Sequence, residues 1–208
     1  METHITFVLD SSGSMSSIRE DTIGGFNTFL EDQTEQEGET TVTLFEFNTS
    51  VDCIYQDIPI DEASKLDTET YTPGGRTALH DALTTAIEST RSHVVSQAET
   101  PPENVIIVTL TDGKENASET PQDVVRDEVE YQREDAEWEF LFIGANQDAA
   151  LTAETMGMDA KKSLDMAHSG EGARNAYSST SEVVDQIRET GGTDGYDEEH
   201  RRQQDSSS

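Results

Sequence analysis

Asp10, Ser12 and Ser14 stand at alternate positions where a short apolar run, Ile5 to Leu9, breaks into Asp-Ser-Ser-Gly-Ser. A sharply turning loop can aim three such oxygens at one point. Hard oxygen donors without His or Cys suit Mg²⁺, Mn²⁺ or Ca²⁺ rather than zinc. They make half of a metal site, and other parts of the chain must supply the remainder. Two segments have the composition to do so. Tyr71-Thr72-Pro73-Gly74-Gly75-Arg76-Thr77 is a tight loop whose backbone can approach a ligand closely. Thr111-Asp112-Gly113 follows the most apolar run, Val105 to Leu110, and repeats the order of Leu9-Asp10. The competing reading of Asp10, Ser12 and Ser14 is an Asx/Ser turn that caps a helix and needs no metal.

The elements around these loops can be read from periodicity. Ile5 to Leu9 is a strand ending at the carboxyl edge of a sheet, where open α/β folds keep their sites. Ile18, Ile23, Phe26, Phe29 and Leu30 mark one face of a helix from about Ser16 to Gln33, in which Gly24-Gly25 permits close packing on the sheet. Thr40 to Phe47 and Val51 to Ile58 form an antiparallel hairpin about Asn48-Thr49-Ser50. Asp61 to Leu66 has room for one helical turn. Ala78 to about Ser96 is a helix, Val105 to Leu110 a strand, and Pro121 to Asp135 a helix with Pro in its first turn. Trp138 to Ile143 is a strand, with Trp138, Phe140 and Phe142 read as sheet core and not as a stacking platform. Helices near Gln147 to Met156 and Glu171 to Arg188 flank an indistinct segment through Ala167. The expectation is a three-layer, Rossmann-like α/β fold, its sheet mainly parallel with one antiparallel edge strand and helices on both faces. Residues 1–189 form the domain. Residues 190–208 are charged and Ser-rich with no apolar face, and are expected to be disordered.

Charge narrows the partners. The chain carries 44 acidic and 13 basic residues, a net charge of -31. Such a field repels nucleic acid and anionic lipid, so neither is expected as a partner. Carboxylates nearly everywhere and only four lysines suit a protein adapted to high salt, with partial unfolding expected in dilute buffer. Cys53 is the single cysteine and reads as a packing or surface thiol. Met1-Glu2-Thr3-His4 leads into the first strand without a basic, apolar signal region, and no apolar run approaches the roughly 20 residues needed to span a bilayer. A cytoplasmic location is expected. His4, His93, His168 and His200 show no metal spacing, and His80 reads as packing or surface.

Asp-x-Ser-x-Ser after the first strand, a Thr in a Gly-rich loop before Ala78-Leu79, and Thr111-Asp112-Gly113 after a later strand resemble a von Willebrand factor A domain. The resemblance covers about residues 3 to 188. It is closest to stand-alone intracellular bacterial and archaeal members, in which Thr111 to Asn116 and Phe142 to Gln147 have counterparts. It implies a metal-ion-dependent adhesion site, with Ser12, Ser14 and Thr77 as direct ligands and Asp10 and Asp112 binding directly or through water. It further implies a protein partner whose Glu or Asp carboxylate completes the shell, and no catalysis. Arg76 departs from the pattern, since a small residue is expected before the ligand Thr; its cation either weakens the site or steers the partner. Glu115 and Asn116 read as a solvated turn. The rival function is a metal-dependent phosphohydrolase with Asp10 as nucleophile, but Ser12 stands where that chemistry needs a second carboxylate. A structural domain with a vestigial site is the third possibility.

Overall fold

The computed structural model describes residues 1–95, 100–145 and 148–207. Six strands, β1 (Thr3–Asp10), β2 (Thr40–Phe47), β3 (Val51–Pro59), β4 (Asn104–Thr111), β5 (Glu139–Ala145) and β6 (Ser163–Met166), form one sheet in the order β3-β2-β1-β4-β5-β6. All neighbours are parallel except the β2–β3 hairpin at one edge. Six α-helices are described: α1 (Arg19–Glu35), α2 (Leu79–Ser89), α3 (Gln122–Asp135), α4 (Ala149–Thr155), α5 (Gly170–Thr190) and α6 (Glu198–Ser206).

Strand alternation sorts the core into two layers. Ile5, Phe7 and Leu9 of β1 join Ile106, Val108 and Leu110 of β4 beneath α1 and α5. Val8, Ile107, Phe140 and Phe142 face α2, α3 and α4 on the other side, with Trp138 in the same layer. Phe7 is fully buried and meets Phe26 edge-on at 5.2 Å, Phe29 at 5.4 Å and the Tyr177 ring, stacked, at 6.0 Å. Burial of one such ring is worth roughly 1.5–3 kcal/mol. At the far ends of α1 and α5 the contact turns polar. Buried Arg188 donates to the Gln33 carbonyl and Oε1, both at 2.8 Å, and Gln33 donates to Ser181 and Asp185.

The structure departs from the sequence expectations at several points. Gly25 serves a helix–helix contact: a Cβ there would lie 2.2 Å from Tyr177 Cδ2, whereas Gly24 faces open space. The first helix opens with a 3-10 segment, Gly13–Ile18, and the third begins one residue after Pro121. The single turn is Ile60–Glu62, and the helix after Ala78 ends at Ser89, giving way to a π-helical turn, Thr90–Val95. The indistinct segment contains a sixth strand, β6. The tail expected to be disordered instead forms α6. It is held by a reciprocal cap between Asp197 and His200 and by burial of Tyr196, His200 and Gln204 against the α5 side of the sheet. Local polar bonds order it where no apolar stripe does. Ser96, Asn146 and Gln147, named in the sequence reading, lie outside the described residues.

Candidate metal centre

β1 and β4 are in parallel register, Leu9 beside Leu110, so Asp10 and Thr111 leave the sheet side by side. From β1 the chain runs to β2 on one flank, and β4 lies on the other, which makes this the switch point of the sheet, the place where open α/β folds bind their ligands. Thr111 Oγ1 donates to Asp10 Oδ2 at 2.5 Å, and the Ser12 amide donates to Asp10 Oδ1 at 2.6 Å. Ser12 precedes the 3-10 segment in the position of a cap, yet its side chain makes no capping bond. Its hydroxyl lies 3.2 Å from that of Ser14, which donates to Asp112 Oδ1 at 2.5 Å.

Backbone bonds draw the second loop onto the first. The Gly74 amide donates to the Ser11 carbonyl at 2.8 Å, and the Gly13 amide to that of Gly75 at 3.2 Å. Gly75 has φ +82, which favours glycine, and a Cβ there would also crowd Thr49 Oγ1 at 2.9 Å. Tyr71, fully buried, donates its hydroxyl to the Asp10 carbonyl at 2.6 Å. Thr77 closes the cluster from the far side. The point where a Gly113 Cβ would sit is 2.6 Å from Thr77 Oγ1 and 3.4 Å from Asp10 Oδ2, so only glycine leaves that space open between them. Asp10, Ser12, Thr77 and Asp112 are buried, and Ser14 is exposed at the rim.

The five residues singled out in the sequence are thus brought together as two carboxylates and three hydroxyls. Burial, aided by the charge of Asp112, pushes the Asp10 carboxyl up, although bonds from Thr111 and Ser12 oppose the shift. A cation among these oxygens would reverse that balance. Among the described residues, no three His, Cys, Asp or Glu side chains cluster as a metal site. The donor set depends on hydroxyls and fits a hard cation.

Arg76, Glu115 and Asn116 find roles that composition did not predict. The Arg76 guanidinium bonds to Asn116, through Nε to Oδ1 at 3.3 Å and through Nη2 to the carbonyl. Asn116 also accepts the Thr77 amide at 3.1 Å and donates its own amide to the Thr77 carbonyl at 3.0 Å. Asn116 stays exposed, as a solvated turn implies, yet it fixes Thr77; Glu115 is half-buried and accepts the Ala117 and Ser118 amides at 2.8 Å, the Ser118 hydroxyl and the His80 amide at the start of α2. Burial raises the Glu115 carboxyl, but these donors outweigh it and hold it below the usual range. Of the histidines, buried His4 bonds to the Thr41 and Thr6 hydroxyls. His168, past the end of β6, lies with Nε2 2.8 Å from Asp112 Oδ2. The sequence reading missed that contact because it depends on a strand it did not find.

The family model of the von Willebrand factor type A domain matches residues 4–188. The chain belongs to that family. No curated protein sequence matches this A-domain. Solved structures give the same fold at low identity. The D319A mutant of the PilB minor pilin from Streptococcus sanguinis superposes with a TM-score of 0.67 at 16% identity, over 93% of this chain and 64% of the pilin. The von Willebrand factor type A protein from Catenulispora acidiphila gives 0.58 at 16%, over 86% and 42%. Proximal thread matrix protein 1 from the mussel byssus, in a structure described as having a zinc-occupied MIDAS motif, gives 0.61 at 17%, over 90% and 46%. This A-domain therefore spans less than two thirds of each of these chains. Among the described residues, no helix is long and apolar enough to cross a membrane.

Proposed function

We propose that this A-domain is a divalent-metal-dependent protein-binding module. Ser12, Ser14 and Thr77 would hold Mg²⁺ through their hydroxyls, with Asp10 and Asp112 as direct or water-bridged ligands; Mn²⁺ or Ca²⁺ suits the same oxygens. When bound, the ion supplies an incompletely neutralised charge that attracts one more anionic oxygen. The partner would offer that oxygen as a Glu or Asp carboxylate. The reading is carried by the convergence of Asp10, Ser12, Ser14, Thr77 and Asp112, with the Ser12 hydroxyl unspent on capping. The mussel protein's zinc-occupied motif is an analogy for metal at this place in the fold.

Net charge makes the ion more than a detail. A chain at -31 repels an acidic partner at long range, so capture of a carboxylate needs a local cation. Molar salt shortens that repulsion to about 3 Å and leaves the short-range bond to the metal intact. Salt adaptation, drawn from 44 acidic residues against 13 basic, and an intracellular setting like that of the family members the chain resembles belong to the same proposal. The phosphohydrolase alternative is weakened because Arg76, a cation that could grip a phosphate, is spent on Asn116.

Calorimetric titration with Mg²⁺ in high-salt buffer tests the site. Wild type is expected to bind, with Asp10→Ala and Thr77→Ala each losing at least about tenfold in affinity. Equal affinity in all three proteins would refute the ligand set. Partner capture that survives chelation would refute metal gating.

A further inference from the structure

His168 lies two residues past the end of β6, in the short connection to α5. Its ring reaches across to the metal centre. Nε2 is 2.8 Å from Asp112 Oδ2, and the Ser17 hydroxyl is 3.4 Å from the same nitrogen. An ionised carboxylate can only accept, so the shared hydrogen belongs to Nε2. Ser14 grips the other oxygen, Oδ1. Asp112 is therefore held at both ends of its carboxylate, and rotation about its last bond is blocked. The His168 side chain is 29% exposed while that of Asp112 is fully buried, so the ring forms part of the wall between the centre and solvent.

The connection carrying His168 is itself fixed from α6. The Ala167 amide donates to Gln204 Oε1 at 3.0 Å, and Gln204 Nε2 donates to the Gly172 carbonyl at 3.2 Å. Ser169 Oγ donates to the Ser207 carbonyl at 2.7 Å and accepts the Gly172 amide at 3.0 Å, capping α5. Gly172 permits the tight turn, since a Cβ there would lie 2.1 Å from the Ala167 carbonyl oxygen. These bonds brace residues 167–169 from beyond the segment matched by the family model, which ends at 188.

We propose that His168 is a positioning residue of the metal centre: its Nε2–H orients Asp112, and α6 keeps the ring in place through Gln204. The inference rests on the metal-binding reading above. Partners of this kind beside a metal ligand typically change affinity by about 10–100-fold when lost.

The test is titration of the full chain with Mg²⁺ and, separately, Zn²⁺, comparing wild type with His168→Gln and His168→Met. The two replacements have similar length and differ in whether an N–H reaches Asp112. His168→Met is expected to weaken both metals about tenfold, with His168→Gln staying within about threefold of wild type. Gln204→Leu is expected to weaken Mg²⁺ as well, by a smaller factor. Equal affinities in wild type and His168→Met would overturn this inference and leave the five-residue site standing. A loss confined to Zn²⁺, unrescued by Gln, would make His168 a direct nitrogen ligand and also overturn it. Absence of Mg²⁺ binding in wild type would overturn both readings.

Discussion

Glu46 is the carboxylate most at odds with its surroundings. It sits near the end of β2, on the face of Val42 and Leu44, only 8% exposed and with no partner for Oε1 among the described residues. Asp52 lies opposite it across the β2–β3 ladder. Burial first, and the Asp52 charge second, push its carboxyl from 4.5 to about 7. Because the folded-state value lies above the unfolded one, Glu46 favours the fold below about pH 4.5, and that support is lost as pH rises through about 7. Above both values the penalty is at most roughly 3 kcal/mol, at about 1.4 kcal/mol for each tenfold change. Glu46→Gln keeps the shape and removes the charge. It is expected to stabilise the protein by about 2 kcal/mol at pH 8, or about 4–8 °C in Tm for a domain of this size. At pH 5 the gain should shrink to less than half. Thermal melts at both pH values, in one high-salt buffer, read the difference directly, and salt should alter it little because the group is buried. An equal gain at the two pH values, or a loss at pH 8, would refute the assignment of an ionised, unpartnered carboxylate to this place.

Other outcomes follow from close approaches and from charge. Gly25→Ala drives a methyl into the Tyr177 ring and is expected to cost about 1–3 kcal/mol in denaturant titrations, while Gly24→Ala, facing open space, should stabilise by about 0.5–1 kcal/mol. Gly113→Ala places a methyl 2.6 Å from Thr77 Oγ1, so calorimetry should find Mg²⁺ affinity reduced at least about tenfold, and wild-type affinity would disprove the convergence of Thr77 and Asp10. The melting temperature should climb steadily from about 0.1 M to 2 M KCl as the charge of -31 is screened. A flat profile would count against salt adaptation.

Legibility from sequence tracked how far each element depends on its own residues. β1 and β4 contain the mostly apolar runs Ile5 to Leu9 and Val105 to Leu110, and an acid follows each at the carboxyl edge of the parallel sheet, directly as Asp10 or one residue past the strand as Asp112, so both are legible in the sequence. β6 was not, because Ser163-Leu164-Asp165-Met166 is four residues long and draws its identity from pairing with β5. α6 escaped for a different reason: its order comes from the Asp197–His200 cap and from Gln204 reaching across to Ala167, none of which leaves an apolar period. Losing those two elements also hid His168, whose place at the centre exists only once β6 is drawn. The bonds from Asn116 to Thr77 and from Glu115 to His80 are not legible in the sequence, because polar residues beside a Gly suggest a turn and those two partners lie about 35–40 positions away.

The hairpin flank of the sheet has a further consequence. β3 pairs with β2 through an interrupted register between Val42 and Phe45, carries Asp57 at φ +48 with its carboxylate against His4, and leaves Asp52 exposed beside Cys53. An outer strand that is kinked and acidic is a poor template for a seventh. Copies of this molecule crowded together should therefore resist stitching into a continuous ribbon, and Cys53, standing in the open on that flank, offers a thiol on which a spectroscopic label would report any such zippering.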